Sequence, residues 1–434
     1  MSPALRSFAA QWETRPADSL SPVREQAMQR FLKLGLPSLR DENWRYTDLR
    51  SLAAQSFVDA PRKIHGEIEP SASLSLLDKT DRASSLLMIN GYPTMPVADG
   101  LISGVEIYSL REVARVDPDT LLRFLEPLSD ADQQRWALLN TALFVDGLYL
   151  KVTSRVQVPL VILHIATGDG ANNIAYPRII IEAAPGSSAT IIEHHVAQGE
   201  HTPLSNSNTH IALKEDAQIE HYRVFATGAG ATHLDSLVIR QDRDSRCKQF
   251  TIALGGGLVR TSLESRLDAP GASLDSYSLL VGHQDRHVDC VNFVTHAAPD
   301  TRSTQTARAI ASDASRVIFN SKVIVNTGAV HAQSQQSCRG LLLSPTAEID
   351  TRPQLEIHAD EVKCAHGATI GRLDPDMLFY MLSRGLDRET AQSLLVYAFL
   401  ADVLSGMSVD SARAAIENAL IAQLPDSQTL RKFR

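Results

Sequence analysis

From about residue 136 to about residue 371 the chain shows almost no helical period. In its place come short alternating runs rich in β-branched residues, among them Ala189 to Glu193, Gln218 to Phe225, Lys248 to Leu254, Leu274 to Val281 and Val317 to Val325. Alternation of this kind sends successive side chains to opposite faces of a strand. Small turns precede several runs: Pro185-Gly186, Glu215-Asp216-Ala217, Pro270-Gly271-Ala272, Gly328-Ala329 and Thr346-Ala347. So many strands without intervening helices imply one large all-β unit. Their recurrence at roughly 25–30 residues favours a solenoid over a closed barrel. On periodicity alone a sandwich stays as the alternative.

Helical segments flank this unit. Residues 1–135 form a first zone, helical at its start, where Val23, Ala27, Phe31 and Leu34 make one apolar stripe. Ser21 before Pro22 is a capping pair, and Gly35 suits the position just past the helix end. Ser85 to Tyr92 is expected as a short buried strand closing on an Asn-Gly turn. Residues 372–434 form a C-terminal helical zone. There Asp374-Pro375 starts one helix, Gly385 ends it and Asp387 caps the next. In that second helix Val396, Phe399, Leu400, Val403 and Met407 make an apolar face that Leu394, Leu395, Tyr397 and Leu404 extend nearly all round. Packing against neighbouring elements explains such a helix; so does a docking surface centred on Phe399 and Val403.

Composition excludes several functions. The net charge is −8 with a pI near 6.0, which is wrong for sequence-independent binding to nucleic acid or an acidic membrane. No apolar run spans a bilayer, and no signal-peptide pattern opens the chain. Four cysteines, at 247, 290, 338 and 364, are too scattered for a disulfide framework, so reduced thiols in a cytoplasm are expected. A polysaccharide-active β-helix enzyme would need export and a groove of carboxylates and aromatics, yet aromatics make up only 6%.

The segment from Lys363 to Thr369 is the strongest chemical candidate. On a strand, Cys364 and His366 project from one face, and a thiolate beside an imidazole suits iron, zinc or a cluster. Two ligands leave a tetrahedral site incomplete, so the rest must come from elsewhere in the fold or from another chain. A stand-alone metal-dependent enzyme built on these two residues is the alternative. Other groups carry less. His194 and His195 face opposite ways on a strand and read as core or surface residues. Gly255-Gly256-Gly257 lacks the Lys-Ser/Thr of a phosphate loop and reads as a turn. Cys247, Cys290 and Cys338 read as small core residues, and His283, Asp285, His287 and Asp289 as polar side chains facing water.

Four segments together resemble one family: Asp41 to Leu49 (DENWRYTDL), Leu138 to Leu150 (LLNTALFVDGLYL), Gln354 to Gly371 (QLEIHADEVKCAHGATIG) and Asp374 to Gly385 (DPDMLFYMLSRG). They are similar, in order and spacing, to the SufB/SufD scaffold proteins of iron–sulfur cluster assembly. SufB-type chains carry His-Glu-Ala-Thr where this one has Gly367 after His366, and Cys364 before the histidine is the SufD pattern. The resemblance implies a right-handed parallel β-helix core, taken as residues 136–371, between helical N- and C-terminal domains. It implies a non-catalytic subunit that pairs with a SufB-like partner through the β-helices and docks a SufC-like ATPase through residues 372–434. A nascent iron–sulfur cluster would be shared across the interface, with His366 and Cys364 as ligands. Such complexes are also associated with reduced flavin, although this chain has no Gly-x-Gly-x-x-Gly fingerprint. For the isolated chain a second copy of itself is a further candidate partner.

Overall fold

The structure, a computed structural model, describes residues 1–62, 85–94, 102–125, 134–168, 172–198 and 203–423. Its centre is a parallel β-helix of about 7 turns. One wall is a sheet that runs through Leu148–Val152, Arg178–Ala183, Leu204–Leu213, Thr232–Gln241, Leu258–Leu267, His287–His296, Arg316–Val325 and Glu348–Ile357. The second sheet runs through Leu160–Thr167, Ser188–Gln198, Gln218–Phe225, Arg246–Ala253, Ser273–Gly282, Arg302–Ala311, Gln333–Leu342 and Lys363–Gly371. The chain alternates between the walls, so each strand pairs with those one turn before and one turn after it. Along the second sheet Ala189, Ile219, Cys247, Leu274, Ser303, Ser334 and Cys364 are register partners, 27 to 31 residues apart. That spacing is the repeat seen in the sequence, and it decides for the solenoid over the sandwich.

The turn residues explain the corners. Asp216 (φ +56°), Asp244 (φ +55°) and Gly271 (φ +76°) sit in the left-handed region, where Asp and Gly are tolerated best. At Gly271 a Cβ would also lie 1.9 Å from Asp244 Oδ1. The triglycine is likewise a turn: Gly256 has φ +101°, and a Cβ on Gly255 would meet the Thr227 carbonyl at 2.3 Å.

Helices cover the outside of both walls. Pro3–Glu13, Ser21–Leu34 and Arg135–Leu143 pack Phe8, Phe31, Trp136, Leu138 and Phe144 onto Ile180, Leu204 and Leu234 of the first sheet. The helix after Leu20 starts with Ser21 as its first residue rather than its cap, and Ser21 Oγ accepts from the Asp18 amide at 2.8 Å. Gly35 follows its end with φ +70°. At the other wall Arg388–Leu404 and Asp410–Ile421 lay Val396, Leu400, Val403, Leu404 and Ile416 on Tyr222, Phe250, Leu279 and Ile310 of the second sheet. Asp374 and Asp387 cap their helices as expected, Asp387 Oδ1 accepting from the Thr390 amide at 2.9 Å.

The first zone is not separate from the solenoid. Its strand Ser85–Ile89 turns back at Asn90-Gly91, as the sequence predicts, but also pairs in parallel with Leu160–Thr167. Val105–Ser109 adds antiparallel to Leu148–Val152. Position 136 falls inside the helix Arg135–Leu143, which is buried along its whole length.

Candidate functional site

The two sheets end at Glu348–Ile357 and Lys363–Gly371, and among the described residues each of these strands has a paired neighbour on one side only. The last turn therefore presents two rows of open backbone groups, which invite strand pairing with another chain. Cys364 and His366 lie on the second of these strands, in the inward rows: Cys364 pairs in register with Ser334, and His366 with Gln336. Cys364 is half-buried against the interior core, while His366 is exposed. A cleft of about 410 Å³ opens beside the thiol, lined by Arg302, Ser303, Gln333, Ser334 and Lys363. Burial raises the Cys364 pKa, and a hydrogen bond from the Ser334 backbone partly offsets that. The thiol is thus held protonated at neutral pH, and binding a metal ion there would release a proton.

Behind this end the interior is polar in its middle rows. His221, Gln249, Ser276, Gln305, Gln336 and His366 occupy one row, rung after rung. Ser276 Oγ donates to Gln249 Oε1 at 3.1 Å, and across the walls Ser321 Oγ donates to Gln305 Oε1 at 2.9 Å. One row over, Arg223 is fully buried and ion-paired with Asp235 of the opposite sheet, and its Nη2 donates to Thr251 Oγ1 at 2.8 Å. The same interior holds Cys247, Cys290 and Cys338 as buried small residues, as expected. Burial raises all three thiols, that of Cys338 to about 12.

Two family models together match residues 6–162 and 164–399 of this architecture. The first is the SufBD protein N-terminal region, and the second is the SufBD core domain of SUF-system iron–sulfur cluster assembly. The chain belongs to the SufB/SufD family. It is 28% identical over 413 residues to the iron–sulfur cluster assembly protein SufD of Escherichia coli, covering 93% of each chain. It is also 28% identical to a SufBD family protein of Synechocystis, covering 92% of this chain and 89% of that one. Against the SufD protein of Bacillus subtilis it is 24% identical over 96% of each chain.

Within this SufB/SufD chain, two expectations need correction. Val403, taken as a docking residue, is 0% exposed and packed against the solenoid wall; Phe399 beside it is half-buried, with Arg308 over its ring. The helix is apolar all round because it lies between the second sheet and its neighbouring helices. Exposed apolar surface lies instead on the preceding helix, Pro375–Ser383, at Met377 (56%), Phe379 (72%) and Tyr380 (58%). The second correction concerns Asp289, which is buried rather than on the surface. It accepts from Thr47 Oγ1 at 2.5 Å and pairs with Arg260, whose guanidinium lies 3.6 Å over the Trp44 ring. His287 Nε2 is 2.9 Å from the same Thr47 Oγ1. The segment Asp41 to Leu49 is thus a latch that fastens the N-terminal helices to the first sheet. His283 and Asp285 stay at the surface turn.

Sequence reasoning also missed a buried group. His194 and His195 do face opposite ways, but His195 joins Glu193, two residues back on the same face, and His164 from the preceding turn. Alternation within the strand held half of that signal, because Glu193 and His195 share a face. The partnership with His164 exists only in the register between rungs. Among the described residues no helix is long and apolar enough to cross a membrane.

Proposed function

We propose that this chain is the SufD-like scaffold of a SufBCD-type complex, non-catalytic itself, which pairs with a SufB-like subunit through the open end of its solenoid. The observation that carries this reading is the juxtaposition at that end of two unpaired strand edges with Cys364 and His366. Edge strands of this length are normally covered, and a second parallel solenoid offers matching backbone groups. In this reading the nascent iron–sulfur cluster is cargo held between subunits, His366 and Cys364 supplying ligands from this side and the partner completing the set. His366 is the exposed donor, and Cys364 becomes a thiolate only as it binds.

A SufC-like ATPase would dock on the C-terminal helices. Exposed Met377, Phe379 and Tyr380 support that placement, with half-buried Phe399 at its margin. Four free cysteines fit a reducing cytoplasm. The reading assigns no residue to reduced flavin. Co-expression with the two partners, followed by native mass measurement and iron and sulfide analysis, tests it. A stable ternary complex whose iron and sulfide fall on His366→Ala supports the reading. A chain that recruits neither partner, or whose loss leaves cluster yield unchanged, refutes it.

A further inference from the structure

The group around Glu193 has no part in the open end. His164, Glu193 and His195 lie inside the solenoid, each at least 95% buried, and one donor atom from each lies within 4.8 Å of the others. His164 Nε2 is 3.1 Å from Glu193 Oε2, and His195 Nε2 is 3.9 Å from the same oxygen. Ligand atoms about 2.1 Å from a tetrahedral ion lie roughly 3.4 Å apart, and the two distances bracket that value. His195 Nε2, buried and aimed at a carboxylate, has no hydrogen-bond partner among the described residues. Such an orphan polar atom is costly unless something else occupies the gap.

The surroundings hold these groups in place. Thr209 Oγ1 donates to both Glu193 oxygens, at 2.8 and 3.0 Å, and His221 Nε2 lies 2.8 Å from Glu193 Oε1. Outer partners of this kind orient a ligating carboxylate. The His195 ring is stacked between His164 (4.2 Å, 7° between planes) and Phe225 (4.7 Å, 14°). Burial, reinforced by the nearby His164, pushes the His195 pKa down. Burial alone would raise Glu193, but the hydrogen bonds from His164 and His221 outweigh it.

We propose that His164, Glu193 and His195 form a buried site for one divalent first-row transition metal ion, bound through two imidazoles and a carboxylate without thiolate. The donor set is the nitrogen–oxygen type that suits zinc or ferrous iron. On loading, His164 shifts its proton from Nε2, which donates to Glu193 in the empty site, to Nδ1, which is unbonded among the described residues, and the two rings tilt toward a common point. All three donors are buried, so the ion enters as the chain folds, and metal occupancy and folding are coupled. The site is independent of the scaffold reading, since it uses neither Cys364, nor His366, nor a partner.

The test uses the full chain carrying Cys364→Ser and His366→Ala, so that the open end cannot hold the ion. The protein is unfolded in chelator, refolded with and without Zn(II) or Co(II), desalted, and its metal measured. The expected result is about one ion per chain after refolding with metal, and a higher Tm than the metal-free product. Cobalt should give visible bands of a low-coordinate nitrogen–oxygen site with no near-ultraviolet thiolate charge transfer. His195→Phe keeps the ring stack and removes one donor, so it should weaken retention at least tenfold and abolish the metal-dependent Tm shift. If that variant fails to fold, the cobalt spectrum of the parent decides. Metal below a tenth of an ion per chain, a thiolate spectrum, or retention unaltered by His195→Phe would each overturn the proposal.

Discussion

Replacing His366 by alanine separates a ligand role from a structural one. The side chain is exposed on an end strand that pairs on one side only, so little packing is lost with it. Surface substitutions of this kind stay within about 0.5 kcal/mol. For a chain of 434 residues the unfolding entropy is roughly 0.9 kcal/mol per kelvin, so the Tm should move by about 1 °C or less. Cys364→Ala should cost slightly more, up to about 1 kcal/mol, because the thiol is half-buried against the interior core. Cluster yield should behave in the opposite way. Iron and labile sulfide in the intact ternary complex should drop severalfold for His366→Ala and less for Cys364→Ala. Calorimetry on the isolated chain and metal analysis on the purified complex give the two readouts. A loss of more than about 2 kcal/mol, or unchanged iron and sulfide in an intact complex, would return His366 to a structural role.

Arg223→Met should be far more damaging than either, about 3–5 kcal/mol by denaturant titration, because it strands Asp235 in the interior; adding Asp235→Asn should restore part of that. A loss below 1 kcal/mol would mean that the ion pair is not closed to solvent. Phe379→Ser with Tyr380→Ser should weaken ATPase binding tenfold or more at unchanged Tm, whereas Val403→Asp should destabilise the C-terminal helices themselves; native mass spectrometry and thermal scans distinguish the two. His296 is buried between Thr301 and Ser303, and burial lowers its pKa to about 4. The unfolded chain then takes up the proton first, so stability is full above about pH 6.5 and falls toward pH 4, by up to ~3 kcal/mol. His296→Gln should flatten that part of the stability profile, and an unchanged pH dependence would rule His296 out as its source. Thiol labelling of Cys364 in the whole complex should rise when ATP is added; equal labelling with and without nucleotide, in a complex that hydrolyses ATP, would mark a passive scaffold.

The repeat, the corners and the helix ends were legible from the residues alone, because each is a local preference. Asp216 and Gly271 announce left-handed turns, Asp374 and Asp387 announce helix starts, and about thirty residues is what two strands and two corners require. The Cys-x-His pair was legible for the same reason, since a strand puts i and i+2 on one face. What lies across a rung was not. His164 and His195 are 31 positions apart, and only the parallel register stacks them. Nor did apolarity say what covers a surface: Val403 and Phe379 both sit in apolar helices, yet the first is sealed against the second sheet and the second faces outward. In a solenoid with helices over its walls, both faces of most strands are buried, so alternation no longer tells inside from outside. That choice is made by which side chains meet across the walls, and it is a property of the tertiary structure.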